Sequence, residues 1–399
     1  MSQSASQTLT NRPLGLRFAP TEYRGRQKAV REDMARRGIH RLFVTSPVNL
    51  LYLTGYEAIW YPNRLPVGVV IDRDRPECLV FDWRRHETYV RNRVFADAVV
   101  LFDYNDAIEV VTATLSGDPD VLGIEWSSSN PSAPVMTELA RRLEASGTRL
   151  VSGDWIVDGV RLYKSDAELA CVREAAAMAD AAMASLSKRL RPGMSELEVS
   201  ALMGHLLATV GSEPAAMPVL VNSGPQAWMD IHGFPSSRRL EAGDVVNVDC
   251  CASVGRYHAN LGRSFVLGPS KTRARAIIET GAVSLDILRK EARLNADPAP
   301  AAAAADAYAR RKLPPENVWW IGGYALGLCL LPNWVGHTYL ANDGNEKCLL
   351  KSGYVTNFEN VFVDPTEGFE AGCIDTLIMT PAGLDLLSTL PRRLIDVAL

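Results

Sequence analysis

Apolar positions along the first 150 residues change period repeatedly, and each change marks an element. Residues 22–37 carry apolar side chains at helical spacing and stop at Gly38, which predicts an amphipathic helix. Residues 40–45 are a short apolar run that predicts a strand. Pro47 and Asn49 then turn the chain into the apolar stretch 50–55. Two further runs, 67–72 and 78–83, flank the charged turn Arg73-Asp74-Arg75-Pro76 and predict a hairpin. Strands follow at 99–102, 121–125 and 150–152, with helices at 107–115 and 131–145. Alternation of this kind predicts an α/β domain over residues 18–160, preceded by a polar arm at 1–17.

A second domain is expected over 161–399, and it opens differently. Ser165 is an N-cap with Glu168 at the capping-box position, so a helix is predicted over 166–190. It is rich in alanine, which lets a neighbouring backbone approach. Ser195 caps a second helix at 196–211, and 219–221 is a strand. Helices at 271–293 and 301–311 follow, and strands at 354–363 and 373–380 close the domain.

Between these lies the stretch that organises the domain, residues 243–265. A turn at Gly243-Asp244 leads into the β-branched run 245–248, Asp249 follows, and a second extended run begins at Tyr257 and ends at Phe265. This predicts a strand pair in which Asp249 and Asn260 face one another. A carboxylate embedded in such a run needs partners, because an unpaired buried charge is costly.

Composition narrows the reading. The 399 residues are 47% hydrophobic and 22% charged, which is globular and sufficient for two cores. A net charge of -4 gives no reason to expect nucleic-acid binding. Seven cysteines without paired spacing point to a reducing, cytoplasmic setting rather than a disulfide framework. No apolar run approaches the roughly 18 residues of a membrane span, and the polar N-terminus has no apolar segment of the secretory type.

The strand pair resembles the double-strand signature of the pita-bread superfamily, which includes methionine aminopeptidase, prolidase, aminopeptidase P, creatinase and ectoine hydrolase. The resemblance covers nearly the whole chain. It implies an α+β fold of two domains: a small N-terminal α/β creatinase-like domain and a C-terminal pita-bread domain with a curved antiparallel sheet. The family's peptidases hold two divalent metals with two Asp, one His and two Glu. Placed on this chain, those positions are Asp249, Asn260, Tyr324 (in Gly323-Tyr324-Ala325-Leu326-Gly327), Glu359, and Ile374 or, with a one-residue slip, Asp375. A neutral amide, a phenol and an alkyl chain are poor ligands for hard cations, so no metal and no other cofactor is expected.

The resemblance extends to the superfamily's metal-free hydrolases. The loop 327–334, Arg256-Tyr257-His258, and the tail around Pro391-Arg392-Arg393 are similar to ectoine-hydrolase-like proteins. His232, in Met229-Asp230-Ile231-His232-Gly233, matches the segment that carries the catalytic His of creatinase, and imidazole suits proton transfer near neutral pH. Asp249 and Glu359 can hold a cation, act as nucleophile, or split their pKa values to supply an acid and a base. Tyr324 can donate to a developing anion. These four form the expected catalytic set. Arg64 matches an Arg that in creatinase reaches the partner subunit's substrate carboxylate, with Trp60 and Tyr61 as walls. Tyr257, His258, Asn260, Trp334 and Asp375 complete the expected substrate-binding set. Each also has a plain structural reading, as a packed aromatic, a satisfied histidine or a surface arginine.

The expectation is therefore a homodimeric, metal-independent hydrolase of an amidine, guanidine or amide C–N bond in a small carboxylated metabolite. Two alternatives stand beside it: a metal-dependent Xaa-Pro-type peptidase, and a pita-bread binding module without activity.

Overall fold

A computed structural model of the chain describes residues 15–57, 63–117, 121–269, 271–331, 334, 340 and 348–399. The chain divides into two compact units, Met1–Arg161 and Leu162–Leu399. Most of the expected arm at 1–17 lies outside the described residues.

The first unit is a six-stranded mixed sheet with helices. Strands β1 (Arg41–Val44), β2 (Gly68–Asp72), β3 (Cys78–Trp83), β4 (Ala98–Phe102), β5 (Val121–Ile124) and β6 (Arg149–Ser152) lie in the order β4-β3-β2-β1-β5-β6. The hairpin expected around Arg73 is the antiparallel pair β2–β3. Helices α1 (Pro20–Arg36), α2 (Pro47–Thr54), α3 (Glu87–Arg93), α4 (Ala107–Leu115), α5 (Ala133–Ala145) and α6 (Ile156–Arg161) complete it. Helix α2 was legible only as a turn and an apolar stretch. All eight of its residues are buried, so no apolar period betrays it. Pro47 in its first turn and Gly55 at φ 70 beyond its end are the local signals.

The second unit carries the candidate site. Helix α7 (Asp166–Leu186) starts on a complete capping box: Glu168 N–H donates to Ser165 Oγ at 3.3 Å, and Ser165 N–H donates to Glu168 Oε2 at 2.8 Å. Helix α8 (Glu196–Thr209) repeats this with Ser195 and Glu198. The buried alanines of α7, among them Ala175, Ala179 and Ala182, let it lie closely on the strand pair β8 (Val245–Val254) and β9 (Tyr257–Leu267). That pair turns through Gly255 at φ 58 and Arg256 at φ 63, the left-handed conformation that a two-residue hairpin requires.

The sheet extends from β7 (Leu220–Ser223) through β8 and β9 to β12 (Phe369–Thr380), β11 (Val355–Asp364) and β10 (Val318–Gly322). Strand β13 (Gly383–Leu386) pairs with β12, and β14 (Ile395–Val397) runs parallel to β9. Helices α9 (Thr272–Glu291) and α10 (Ala299–Lys312) pack on one another and on the sheet, sharing a core with Phe358, Phe362, Phe369 and Leu377. The two-domain α+β architecture with an antiparallel C-terminal sheet is thus the expected one. Among the described residues no helix is long and apolar enough to cross a membrane.

Candidate active site

The register of the second sheet lines up one row of residues across it. Asp249 on β8 pairs with Gly262 on β9, Gly262 with Ile374 on β12, and Ile374 with Glu359 on β11. Directly opposed residues share a face, so Asp249 and Glu359 project the same way, with a glycine and an isoleucine between them. A Cβ on Gly262 would come within 2.8 Å of Ile374 Cγ1, so only glycine fits under that side chain. Both acids line a small cavity of about 40 Å³, together with His232, Trp319 and Glu370.

A layer of amides stands behind the acids. Asn260 Nδ2 donates to Asp249 Oδ1 at 2.6 Å, and Asn357 Nδ2 donates to Asn260 Oδ1 at 3.2 Å. Asn357 also donates to Glu359 Oε1. The Tyr324 hydroxyl bonds to Glu359 and accepts from Trp334 Nε1 at 2.9 Å. The expectation that Asp249 and Asn260 face each other across the strand pair therefore holds, and the link runs on to Glu359. Burial pushes Asp249 well above the usual carboxylate range, and the charges of Glu359 and Glu370 push the same way. Burial raises Glu359 to about 7 against the donors Tyr324 and Asn357. Burial and the charges of Glu359 and Asp249 raise the Tyr324 phenol, which stays protonated.

Glu370 is a functional candidate that sequence reasoning missed. It is buried and accepts from Asn222 Nδ2 at 2.7 Å and Asn247 Nδ2 at 2.8 Å, and burial raises it to about 8. Its partners come from β7 and β8, far away in the chain. The signal available was alternation on β12, where Glu370, Gly372 and Ile374 share a face.

The other expected residues are distributed unevenly. His232 is exposed at the cavity, edge-on to Trp319 with ring centroids 5.1 Å apart. Trp334 is half-buried and reaches the acids only through Tyr324. His258 is fully buried, and both ring nitrogens meet backbone: Nε2 accepts from Ala216 N–H at 3.0 Å, and Nδ1 lies 3.3 Å from Gly327 O. Tyr257 donates to Glu168 Oε1 at 2.6 Å. The structure gives these two structural partners and does not bring them to the cavity. Asp375 is corrected outright. It pairs with Phe358 on β11, one residue out of phase with Glu359, and lies on the opposite face bound to Arg263 at 2.8 Å. Arg64 belongs to the first unit, where it is exposed and donates to the Tyr104 hydroxyl at 3.4 Å. Trp60 and Tyr61 lie outside the described residues.

Comparison with known families decides the chain's kinship. The profile of Metallopeptidase family M24 matches residues 170–381, and that of the Creatinase/Prolidase N-terminal domain matches residues 26–163. The chain belongs to metallopeptidase family M24. An Xaa-Pro dipeptidase of Pyrococcus furiosus is 25% identical over 371 residues, covering 91% of this chain and 97% of that protein. A probable dipeptidase PepE of Mycobacterium tuberculosis is 31% identical over 167 residues, 42% of each chain. In structure, dipeptidase PepE from Mycobacterium ulcerans superposes with a TM-score of 0.83 at 22% identity, covering 96% of this chain and 100% of the other, a likeness of fold.

These findings correct the expected chemistry. The relatives are named as dipeptidases, so the expected metal-independent hydrolase of an amidine, guanidine or amide bond in a small metabolite, of the ectoine-hydrolase and creatinase type, is overturned in favour of the Xaa-Pro-type peptidase alternative. They show the superfamily and do not place this M24 chain in its metal-free branch.

Family membership implies metal, and the site can be tested for it. Of the five ligand positions that the sequence resemblance implies, Asp249 and Glu359 are the two that carry carboxylates here. One oxygen of each already accepts an amide N–H, and Ile374 fills the centre of the row. Among the described residues no three His, Cys, Asp or Glu side chains are grouped so as to hold a metal ion. The donor set does not fit a pair of divalent ions.

Proposed function

We propose that the chain hydrolyses the peptide bond of short peptides in the cavity between Asp249 and Glu359, with Xaa-Pro dipeptides as the first class to examine. One observation carries this reading: two acids on one sheet row, both held above the usual carboxylate range, face a shared cavity inside an M24 domain.

Such a pair holds a proton between its members near neutral pH, because full ionisation of both is opposed by burial and by their mutual repulsion. Glu359 receives hydrogen bonds from Tyr324 and Asn357, which favour its ionised form, and it serves as the base. Asp249 is pushed up by its own burial, by Glu359 and by Glu370, and it keeps the proton. Glu359 takes a proton from water as the water oxygen attacks the peptide carbonyl. Asp249 gives its proton to the departing nitrogen, and the C–N bond breaks. The products are an amine and a carboxylic acid, and the two acids have exchanged roles. Trp319 and His232 wall the entrance.

The test is release of free proline from Ala-Pro, Leu-Pro and Met-Pro, followed by mass spectrometry. One arm uses enzyme dialysed against EDTA, and a second adds manganese or cobalt. Release in the EDTA arm supports the reading, and release only with added metal keeps the peptidase but overturns the acid–base scheme. No release in both arms, from folded protein and with a wider panel of di- and tripeptides, overturns it.

A further inference from the structure

A groove of about 480 Å³ runs along the outer face of α7, and none of its lining residues belongs to the cavity of the acid row. Helix α7 supplies one side with Arg173, Ala177, Asp180, Ala181 and Ala184. Their spacing is that of one helical face, about 16 Å long at about 1.5 Å of rise per residue. The other side is Asp385 and Leu386 of β13, followed by Leu387, Thr389 and Leu390. The volume falls among those of sites that take small molecules, roughly 300–1,000 Å³. Asp180 fixes the walls before any ligand arrives. It accepts from Ser388 Oγ at 2.5 Å, from Thr389 N–H at 2.7 Å and from Thr389 Oγ1 at 2.8 Å, which ties the tail to the helix. Ser388 Oγ in turn accepts from Arg263 Nη2 at 3.2 Å, so the same wall is anchored to the buried side of the sheet.

The polar groups left for a ligand stand at the Arg173 end. Arg173 Nη1 donates to Asp385 Oδ2 at 2.9 Å, and the two side chains are 47% and 43% exposed, so solvent and ligand reach both. Among the described residues, the other N–H groups of that guanidinium and Asp385 Oδ1 have no partner. The pair therefore presents a donor fork beside an acceptor oxygen. A carboxylate matches the fork, and an ammonium matches the oxygen. A ligand that carries both satisfies the two residues at once. A lone anion would meet Asp385 as a like charge, and a lone cation would meet Arg173. Beyond the pair the walls are aliphatic: Ala177, Ala181 and Ala184 face Leu386, Leu387 and Leu390. Such walls favour an alkyl side chain, which gains by leaving water.

We propose that this groove is a binding site for free α-amino acids with an aliphatic side chain. Arg173 receives the carboxylate, Asp385 receives the ammonium, and the alkyl group lies between Ala177 and Leu386. The site shares no residue with the acid row and its occupation requires no turnover, so it stands or falls independently of the peptidase reading.

The test is calorimetric titration of L-leucine, glycine, N-acetyl-L-leucine and L-leucinamide into the full chain, into Arg173→Gln and into Ala177→Trp. The wild type should bind leucine saturably and at least tenfold more tightly than each of the others. Glycine lacks the alkyl group, the acetylated form lacks the ammonium, and the amide lacks the carboxylate. Arg173→Gln should lose at least tenfold in affinity for leucine. Ala177→Trp sets an indole into the groove from an exposed helix position and should lose binding altogether. Arg173 is exposed too, so each variant covers the case in which the other does not fold. No saturable binding of leucine by the wild type overturns the proposal. Equal affinity for leucine and either blocked form overturns it as well, because the charged pair would then play no part. So does a folded variant of either kind that binds leucine as tightly as the wild type, since the ligand would then be seated elsewhere.

Discussion

Asn260 Nδ2 lies 2.6 Å from Asp249 Oδ1, and through Asn357 the same amide is linked to Glu359. Two amides thus tie together two acids that the family relationship would have bridged by cations. An Asn at this position contributes no charge, and its N–H occupies a carboxylate oxygen. Replacing Asn260 with Asp removes the donor and adds an anion beside Asp249. The expected outcome is greater uptake of manganese or zinc than in the wild type, read as ions per chain by elemental analysis after equilibration and desalting. Equal metal content in the two proteins would show that Asn260 is not what limits uptake.

Asp249→Asn and Glu359→Gln separate the two proposed roles. Each should lower kcat for peptide hydrolysis by about 10²-fold or more, the usual contribution of a positioned acid or base. Neither should lower the melting temperature, because each replaces a buried, charge-repelled acid with a neutral isostere. The affected pH limb differs. Loss of the base removes the rise of kcat with pH, and loss of the acid removes its fall. A variant that keeps the full wild-type rate would take that residue out of the scheme.

The back of the same row has its own requirement. Arg263 is fully buried and donates to the carbonyls of Gly262 and Ile374 at 2.8 and 3.0 Å, and to Asp375 Oδ1 at 2.8 Å. It therefore holds the two central residues of the row from the opposite face. Asp375→Ala leaves that guanidinium without its counter-charge, a change that costs about 3–5 kcal/mol in buried pairs. The expected observation is a much lower denaturation midpoint. Replacing both partners with apolar residues should restore much of the stability. A single variant as stable as the wild type would mean that Arg263 finds charge elsewhere.

How much of this was legible in the sequence depended on range. The capping boxes at Ser165 and Ser195 were readable because all their partners lie within three residues. The strand pair carrying Asp249 and Asn260 was readable because its hairpin closes locally. Glu370 was not, since Asn222 stands 148 residues away and the alternation along β12 by itself names no partner for it. Asp375 was misplaced for a related reason. A one-residue slip on β12 moves a side chain to the other face, and the acid found there belongs to Arg263. His258 read as a pocket histidine, and only the fold shows Ala216 and Gly327 meeting its ring. Substrate chemistry was the least legible part, because a few short motif likenesses weighed against the peptidase relatives that the whole chain resembles.

His258 also makes stability depend on pH in a defined direction. Burial lowers it to about 4, while an unfolded-chain histidine titrates near 6.5. The nearest charges, Arg256 and Glu213, act in opposite directions. Above about pH 6.5 the ring is neutral in both states and contributes no pH dependence. As pH falls from there to about 4, the unfolded chain takes up a proton that the folded chain refuses, so stability is lost. The full window amounts to roughly 3 kcal/mol. Glu359 and Glu370 have raised values and act the other way, since the folded chain binds their protons first as pH falls. Comparison with His258→Gln cancels that opposing contribution. Glutamine keeps an acceptor for Ala216 N–H and a donor for Gly327 O but does not titrate. In chemical denaturation from pH 7.5 to pH 4.5, the wild type should therefore lose stability relative to the variant, with the difference growing toward acid. A constant difference across that range would mean that the folded chain accommodates the charged imidazolium.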